Sequence, residues 1–187
     1  PHDFVVGNPY ASYDLSPDGR KVVITDKSLR QTRVLIKYVD KSVKDNYLEF
    51  GDSRPLYAHW ATHGRLIIPV ISITDMKLPR GIYAVNGNKR DKFLRNVATT
   101  RMLAINEDGS NAVIMFENAK KKLQFNTNLT QLVSPLTQDP DHIIMAAVDK
   151  NLNVYKVNIQ TGDAKRISAG RSDTRAWFVD DNGRPSV

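Results

Sequence analysis

Two histidines, His59 and His63, stand four residues apart. On a helix that spacing puts two imidazoles on one face, where they can hold a metal ion. Here they flank a strand-to-turn junction, and no glutamate sits between them as a helical zinc-peptidase pattern requires. Off a helix the spacing loses its meaning, so both read as turn histidines. His2 and His142 are isolated. Asp18, Asp141, Asp180 and Asp181 could in pairs perform acid–base work. They recur at one place in a repeat, however, which argues for turn formation. Ser16, Ser53 and Ser172 have no histidine or other base at a telling position, so none reads as a nucleophile. Trp60 and Trp177 also occupy equivalent repeat positions. They read as core anchors, with sugar stacking as the functional alternative. The Gly-x-x-x-x-Gly-Lys phosphate loop is missing, and Gly109 and Gly162 read as hairpin glycines. No catalytic, cofactor-binding or metal-ligating residue is assigned, and no cofactor is expected.

Composition narrows the classes further. Hydrophobic residues make up 41% of the 187 residues, enough for a buried core. The longest apolar stretch, Leu66 to Ile73, is interrupted by Pro69 and Ser72 and is too short to span a bilayer. Residues 1–15 lack the basic-then-apolar order of a secretory leader. The chain begins at Pro1 rather than Met, which points to a trimmed N-terminus. The compartment, periplasmic or secreted against cytoplasmic, therefore stays open. With no cysteine there are no disulfides, thiol nucleophiles or thiolate zinc sites. The net charge of +7 could draw the chain to nucleic acid. Its only basic block, Lys120–Lys122, has no aromatic platform beside it, so a solvated basic surface is the better reading.

The elements that must position these residues form a repeat. One unit is a hydrophobic residue, a polar turn and a β-rich run. It appears at Leu15-Ser-Pro-Asp-Gly-Arg-Lys-Val-Val-Ile, at Trp60-Ala-Thr-His-Gly-Arg-Leu-Ile-Ile and at Leu136-Thr-Gln-Asp-Pro-Asp-His-Ile-Ile-Met. A last copy, Trp177-Phe-Val-Asp-Asp-Asn-Gly-Arg, lies near the chain end. Proline presets the turn, aspartate bonds its own backbone, and glycine accepts positive φ. The β-branched residues that follow suit strands buried on both faces. A second unit ends in Asp or Asn: Ile36–Asp40, Ile82–Asn86, Met102–Asn106 and Val154–Asn158. Each is followed by hairpin-type residues.

The units keep phase. Gly19 to Asp40 spans 21 residues, Gly64 to Asn86 spans 22 and Asp141 to Asn158 spans 17. Turns Gly19 and Gly64 lie 45 apart, and Asp141 and Gly183 lie 42 apart. A period of about 40–50 residues built from short strands is the pattern of a β-propeller. The expected fold is all-β, a partial propeller of about three to four antiparallel blades. Approximate blades are 10–57, 58–100 and 136–187, with 101–135 a degenerate blade or an insertion. The gap of 77 residues from Gly64 to Asp141 makes Phe93–Gln131 the uncertain stretch. No segment has helical spacing with caps, and 117–130 reads as a polar loop. Its Asn128-Leu-Thr130 matches a glycosylation sequon, a tripeptide common by chance.

Leu15-Ser-Pro-Asp-Gly-Arg-Lys-Val, with the aromatic approach at Tyr10–Tyr13, resembles the first propeller blade of the prolyl oligopeptidase family of serine peptidases. The series Asp139-Pro-Asp-His-Ile-Ile-Met, Val154-Tyr-Lys-Val-Asn-Ile-Gln-Thr-Gly and Trp177-Phe-Val-Asp-Asp-Asn-Gly-Arg-Pro is similar to successive blades of its bacterial acylaminoacyl-peptidase and dipeptidyl-peptidase IV-like branch. The resemblance implies a propeller joined to an α/β-hydrolase domain that carries a Ser-Asp-His triad and a Gly-x-Ser-x-Gly elbow. No Gly-x-Ser-x-Gly occurs here, so no catalytic residue carries over.

The leading expectation is thus a non-catalytic propeller portion of a peptide hydrolase that limits substrate access to a catalytic domain outside these residues. Its partners would be that domain and peptides, with no membrane. A free-standing propeller that binds a protein or carbohydrate is the rival, and a propeller glycosidase a more distant third. An open arc also exposes apolar blade faces, so self-association through Val22–Thr25 or Arg175–Val179 is expected of the isolated chain.

Overall fold

The turn after Leu15 shows why the chain reverses where it does. Asp18 Oδ1 accepts the Ser16 hydroxyl at 2.6 Å and the Arg20 N–H at 3.1 Å. Ser16 Oγ in turn accepts the Lys21 N–H at 2.9 Å, and Gly19 supplies φ +69°. The computed structural model describes residues 10–27, 32–62, 64–77, 93–136, 138–180 and 182–186. This first turn joins β1 (Tyr10–Leu15) to β2 (Lys21–Asp26), which continues through β3 (Arg33–Tyr38) to β4 (Asn46–Leu48). The four form an antiparallel meander in chain order.

The second sheet comprises β5 (Arg54–Pro55), β6 (His59–Thr62), β7 (Arg65–Lys77), β8 (Phe93–Asn106), β9 (Val113–Ile114) and β10 (Asn128–Leu129). It is still four strands wide, because β5 and β6 pair successively with β7 while β9 and β10 pair with β8. The break between β5 and β6 falls opposite Pro69. Its carbonyl faces that side, accepting the Leu56 N–H at 2.9 Å. The side therefore lacks the N–H that a continuous ladder needs there.

The third sheet is again a meander: β11 (Gln131–Pro135), β12 (His142–Asp149), β13 (Asn151–Asn158) and β14 (Ala164–Ser168). A fourth begins with β15 (Phe178–Val179) and β16 (Pro185–Ser186). First strands of successive sheets touch, β1 with β6 and β11 with β15, as strands nearest a common axis do. The all-β expectation holds; a single 3-10 turn at Glu117–Ala119 interrupts it among the described residues.

Strand pairing divides the chain differently from turn spacing. The sheets cover 10–48, 54–129 and 131–168, with a fourth begun at 178–186. Gly64 does not answer to Asn86, because Arg65 pairs with Asn106. Met102–Asn106 ends the third strand of the second sheet rather than opening a blade over 101–135, and β9 and β10 supply that sheet's outer edge. The long gap between turns arises from β7 and β8, which run to 13 and 14 residues against 6 to 8 for their counterparts, together with the 78–92 connection between them and the 115–127 segment between β9 and β10. Ile82–Asn86 lies outside the described residues.

Period-2 alternation builds the core. Leu66, Ile68 and Val70 turn to the first sheet, against Val23, Val34, Ile36 and Leu48. Ile67, Met102 and Ala104 turn the other way, onto Ile143, Met145 and Val157 of the third sheet. Ile144, Ala146 and Val154 meet Trp177 on the far side. Trp60 and Trp177 are each 7% exposed, so both are core anchors and not stacking platforms. The Trp177 indole N–H donates to the Leu152 carbonyl at 2.8 Å.

Three expected outcomes follow from these contacts. Truncating Trp177→Ala empties the junction with the fourth sheet and is expected to cost about 3–5 kcal/mol in denaturant unfolding. Gly162 has φ +77°, and a Cβ there would stand 2.3 Å from the Ile114 carbonyl oxygen. Gly162→Ala is therefore expected to lose about 2 kcal/mol or more by the same measurement, since backbone must shift. Asp139 bonds the Lys156 ammonium at 2.5 Å and His142 Nδ1 at 2.8 Å. Those bonds hold its carboxyl below the usual range. Their stabilisation is complete above the ordinary carboxylate pKa of about 4 and is lost as pH falls through the depressed value. Asp139→Asn should flatten the acid side of a melting-temperature profile between those two limits.

Candidate functional site

The outer half of the β7–β8 hairpin leaves the core. Residues up to Val70 are buried, whereas Ile73 is 63% exposed. There the hairpin parts from the segment that runs from Ile114 to Leu129, and a cleft of about 350 Å³ opens between them. Ser72, Thr74, Asp75, Thr99 and Arg101 form one wall. Met115, Phe116, Leu123 and Leu129, all buried, make an apolar floor, and Glu117 and Lys120 stand on the opposite wall.

Local backbone shapes that wall. Phe116 has φ +67°, uncommon for a bulky residue. It is held there from the third sheet: Glu117 N–H donates to the Gly162 carbonyl at 3.2 Å, and the Phe116 ring packs edge-on against Tyr155 at 5.4 Å. Arg101 donates to the carbonyls of Thr100 at 3.0 Å and Thr127 at 3.3 Å. Partial burial lowers its pKa from the ordinary guanidinium value, and no carboxylate pairs with it among the described residues. Asp75 accepts the Asn96 N–H at 3.1 Å, and Lys120 pairs with Glu117 at 3.1 Å. The cleft thus gathers a guanidinium, three hydroxyls and the Asp75, Glu117 and Lys120 side chains above an apolar floor. It holds no nucleophile beside a base.

The residues considered for chemistry are dispersed. His59 Nδ1 lies 3.2 Å from Asp14 Oδ2, which also accepts the Trp60 N–H at 3.0 Å. That contact ties β6 to β1; His2 and His63 lie outside the described residues. Ser16 belongs to the Asp18 turn, Ser53 Oγ meets Ser72 Oγ at 3.3 Å, and Ser172 is exposed. None bonds a histidine among the described residues. Asp180 accepts the N–H groups of Asn182 and Arg184 at 3.0 and 2.8 Å, the turn role expected of it. In the third sheet the side-chain role falls on Asp139, while Asp141 contributes its carbonyl to the Ile159 N–H at 2.8 Å. Asp181 lies outside the described residues. No group of three or more potential metal ligands occurs among the described residues. Of the basic block, Lys120 pairs with Glu117 and Lys122 with Asp149 at 2.7 Å. Asn128 Oδ1 accepts the Thr130 N–H and hydroxyl, a local turn.

Two residues that the sequence did not single out, Lys21 and Arg65, join the sheets. Lys21 Nζ donates to Glu107 Oε2 at 2.6 Å and lies over the Tyr38 and Trp60 rings at 5.9 and 5.8 Å. Arg65, 2% exposed, donates through Nε and Nη2 to the Ile159 carbonyl at 2.8 and 2.6 Å, and through Nη1 to Asn106 Oδ1 at 2.6 Å. The available signal was positional: both open a second strand directly after a turn.

No family model matches the chain, and no curated protein matches it by sequence. Solved structures do. TolB from Acinetobacter baumannii superposes with a TM-score of 0.52 at 10% identity, over 94% of this chain and 36% of that one. An acylaminoacyl peptidase in complex with Z-Gly-Gly-Phe-chloromethyl ketone superposes at 0.54 and 12% identity, over 92% of this chain and 26% of that one. The chain thus spans about a third or less of the proteins it resembles. At these identities the likeness establishes fold, and the fold is a partial β-propeller related to those of TolB and the peptidase.

Proposed function

We propose that this chain is the non-catalytic propeller portion of a serine peptidase of the prolyl oligopeptidase type, of the acylaminoacyl-peptidase and dipeptidyl-peptidase IV-like branch. In this reading the sheets stand over a catalytic domain outside the 187 residues and admit only peptides small enough to pass. The observation that carries it is an arc of stacked four-stranded sheets in which no described serine has a histidine partner. Such an arc presents surfaces and rims, and covers chemistry done elsewhere. The second reading, a free-standing propeller that binds a protein or carbohydrate partner, needs only the propeller fold, which the likeness to TolB supports as much as the likeness to the peptidase does. Alone, the arc is expected to self-associate; of the two segments expected to carry the contact, Val22–Thr25 has Val23 and Thr25 fully buried, whereas Phe178 within Arg175–Val179 is 68% exposed, alongside Tyr13 and Leu15 at 72% and 56%.

The pure chain is expected to leave amino-acyl and dipeptidyl reporter substrates intact and to scatter light as an oligomer at micromolar concentration. Turnover abolished by a serine-directed phosphonate would overturn the non-catalytic reading. A clean monomer would remove the self-association. The longer parent protein should cut short peptides while sparing denatured protein chains. A parent without a hydrolase domain would leave the binding reading in its place.

A further inference from the structure

We infer that His142 is the third member of a repeated clamp between sheets. The surface around it receives the turn after the third strand of a fourth sheet, the one begun by β15 and β16. The inference rests on the reading of this chain as a segment of a longer propeller.

The three complete sheets share one frame. Lys21, Arg65 and His142 each open the second strand, and they pair across to Tyr38, Asn106 and Asn158 at the end of the third. The residue after that end, Val39, Glu107 or Ile159, returns its N–H to the carbonyl of the residue before the clamp. Those bonds to Arg20, Gly64 and Asp141 measure 2.9, 3.0 and 2.8 Å. The frames are therefore equivalent position by position, though their sequences differ.

At both junctions within the chain, one frame grips the next. Lys21 reaches Glu107 Oε2 at 2.6 Å, while Asn46 Nδ2 takes the Glu107 carbonyl at 2.7 Å. Arg65 takes the Ile159 carbonyl with two N–H groups. In each case the carbonyl after the third strand accepts from the preceding sheet. Continuing the series, His142 of the third sheet faces the corresponding turn of the fourth. Its side chain is 31% exposed, with Nδ1 against Asp139 at 2.8 Å. Its Nε2 lies 3.5 Å from the Asn158 amide nitrogen, the position at which Arg65 meets Asn106, and a doubly protonated ring turned to the fourth sheet would donate through that atom. β15 already lies against β11 as β6 lies against β1, so the fourth sheet has its first strand in place.

The first sheet presents the matching position at the opposite end of the arc. Val39, the counterpart of Glu107 and Ile159, is 63% exposed. Beside it opens a hollow of about 490 Å³ lined by Arg20, Lys21, Tyr38 and Val43, where a preceding sheet's clamp residue would enter.

The test compares the 187-residue chain with a longer chain that continues β16 through the rest of the fourth sheet. Diethyl pyrocarbonate modification is read residue by residue by peptide mass. His142 is expected to react in the shorter chain and to slow roughly tenfold or more in the longer one, where modification needs local opening. His59, whose two flanking sheets are present in both, should react at one rate. Equal rates at His142 in the two chains would overturn the inference, as would a parent reading frame with no further strands. His142→Ala should lower the melting temperature of the longer chain more than that of the shorter. Equal drops would reduce His142 to its local bond with Asp139 and sink the clamp. Loss of the peptidase reading through a parent without a hydrolase domain would leave the His142 result unaffected, so the two failures are distinguishable.

Discussion

The inner half of β7 and most of β12 are buried on both faces, and that constraint organises the rest. β7 sends Leu66, Ile68 and Val70 to one neighbour and Ile67 to the other. β12 does the same with Ile144 and Ala146 against Ile143, Met145 and Ala147. Each fully buried aliphatic side chain contributes about 1.5–3 kcal/mol. A lone sheet would forfeit the contacts on both faces, and an end sheet those on one, so stability is a property of the stack. The same logic explains why apolar side chains such as Tyr13 of the first sheet and Phe178 of the fourth, at the two ends of the arc, are open to solvent.

Apolar faces give stacking but little register, because one flat sheet can slide on another. Polar contacts fix the offset. Arg65 is the sharpest case, a guanidinium 2% exposed whose bonds run to the Ile159 and Asn111 carbonyls and the Asn106 amide oxygen. Burying a charge without a counter-ion costs free energy, offset only where every N–H finds its acceptor. A shift of one residue between the second and third sheets would strand that cation. Arg65 therefore penalises wrong stackings more than it strengthens the right one. Lys21 and Glu107, whose side chains are 16% and 26% exposed, do the same at the first junction at lower stakes.

The sequence was legible where chemistry is local. Ser-Pro-Asp-Gly at 16–19 forms the turn it implies, because aspartate and glycine act on their own backbone. Trp60 and Trp177 were legible as anchors because size alone favours burial. Pairing between distant residues was not. Asn86 and Asn106 both end a run that suits a hairpin, and nothing in either run says that Asn106 answers to Arg65. Register is a long-range property, and the longer hairpin put the apparent period out of phase. The cleft at Arg101 was invisible for the same reason, since its walls come from residues 72–101 and 114–129.

That elongated hairpin is also where the repeat departs from itself. The inner half of β7 and β8 keeps the geometry shared with the other sheets, down to the bond from Glu107 N–H to the Gly64 carbonyl. The outer half has no counterpart in them, and it carries Ser72, Thr99 and Arg101 beside the cleft. In repeat architectures the shared positions are committed to stacking, so new surface comes from insertions in single repeats. The Phe116 backbone at φ +67° bears this out in energy as well as shape. A bulky residue in that conformation is strained, and it persists only where its neighbours impose it. Here the third sheet imposes it, through the Gly162 carbonyl and the Tyr155 ring. The stack that makes the fold stable thus also sets an irregular wall on which a ligand could be held.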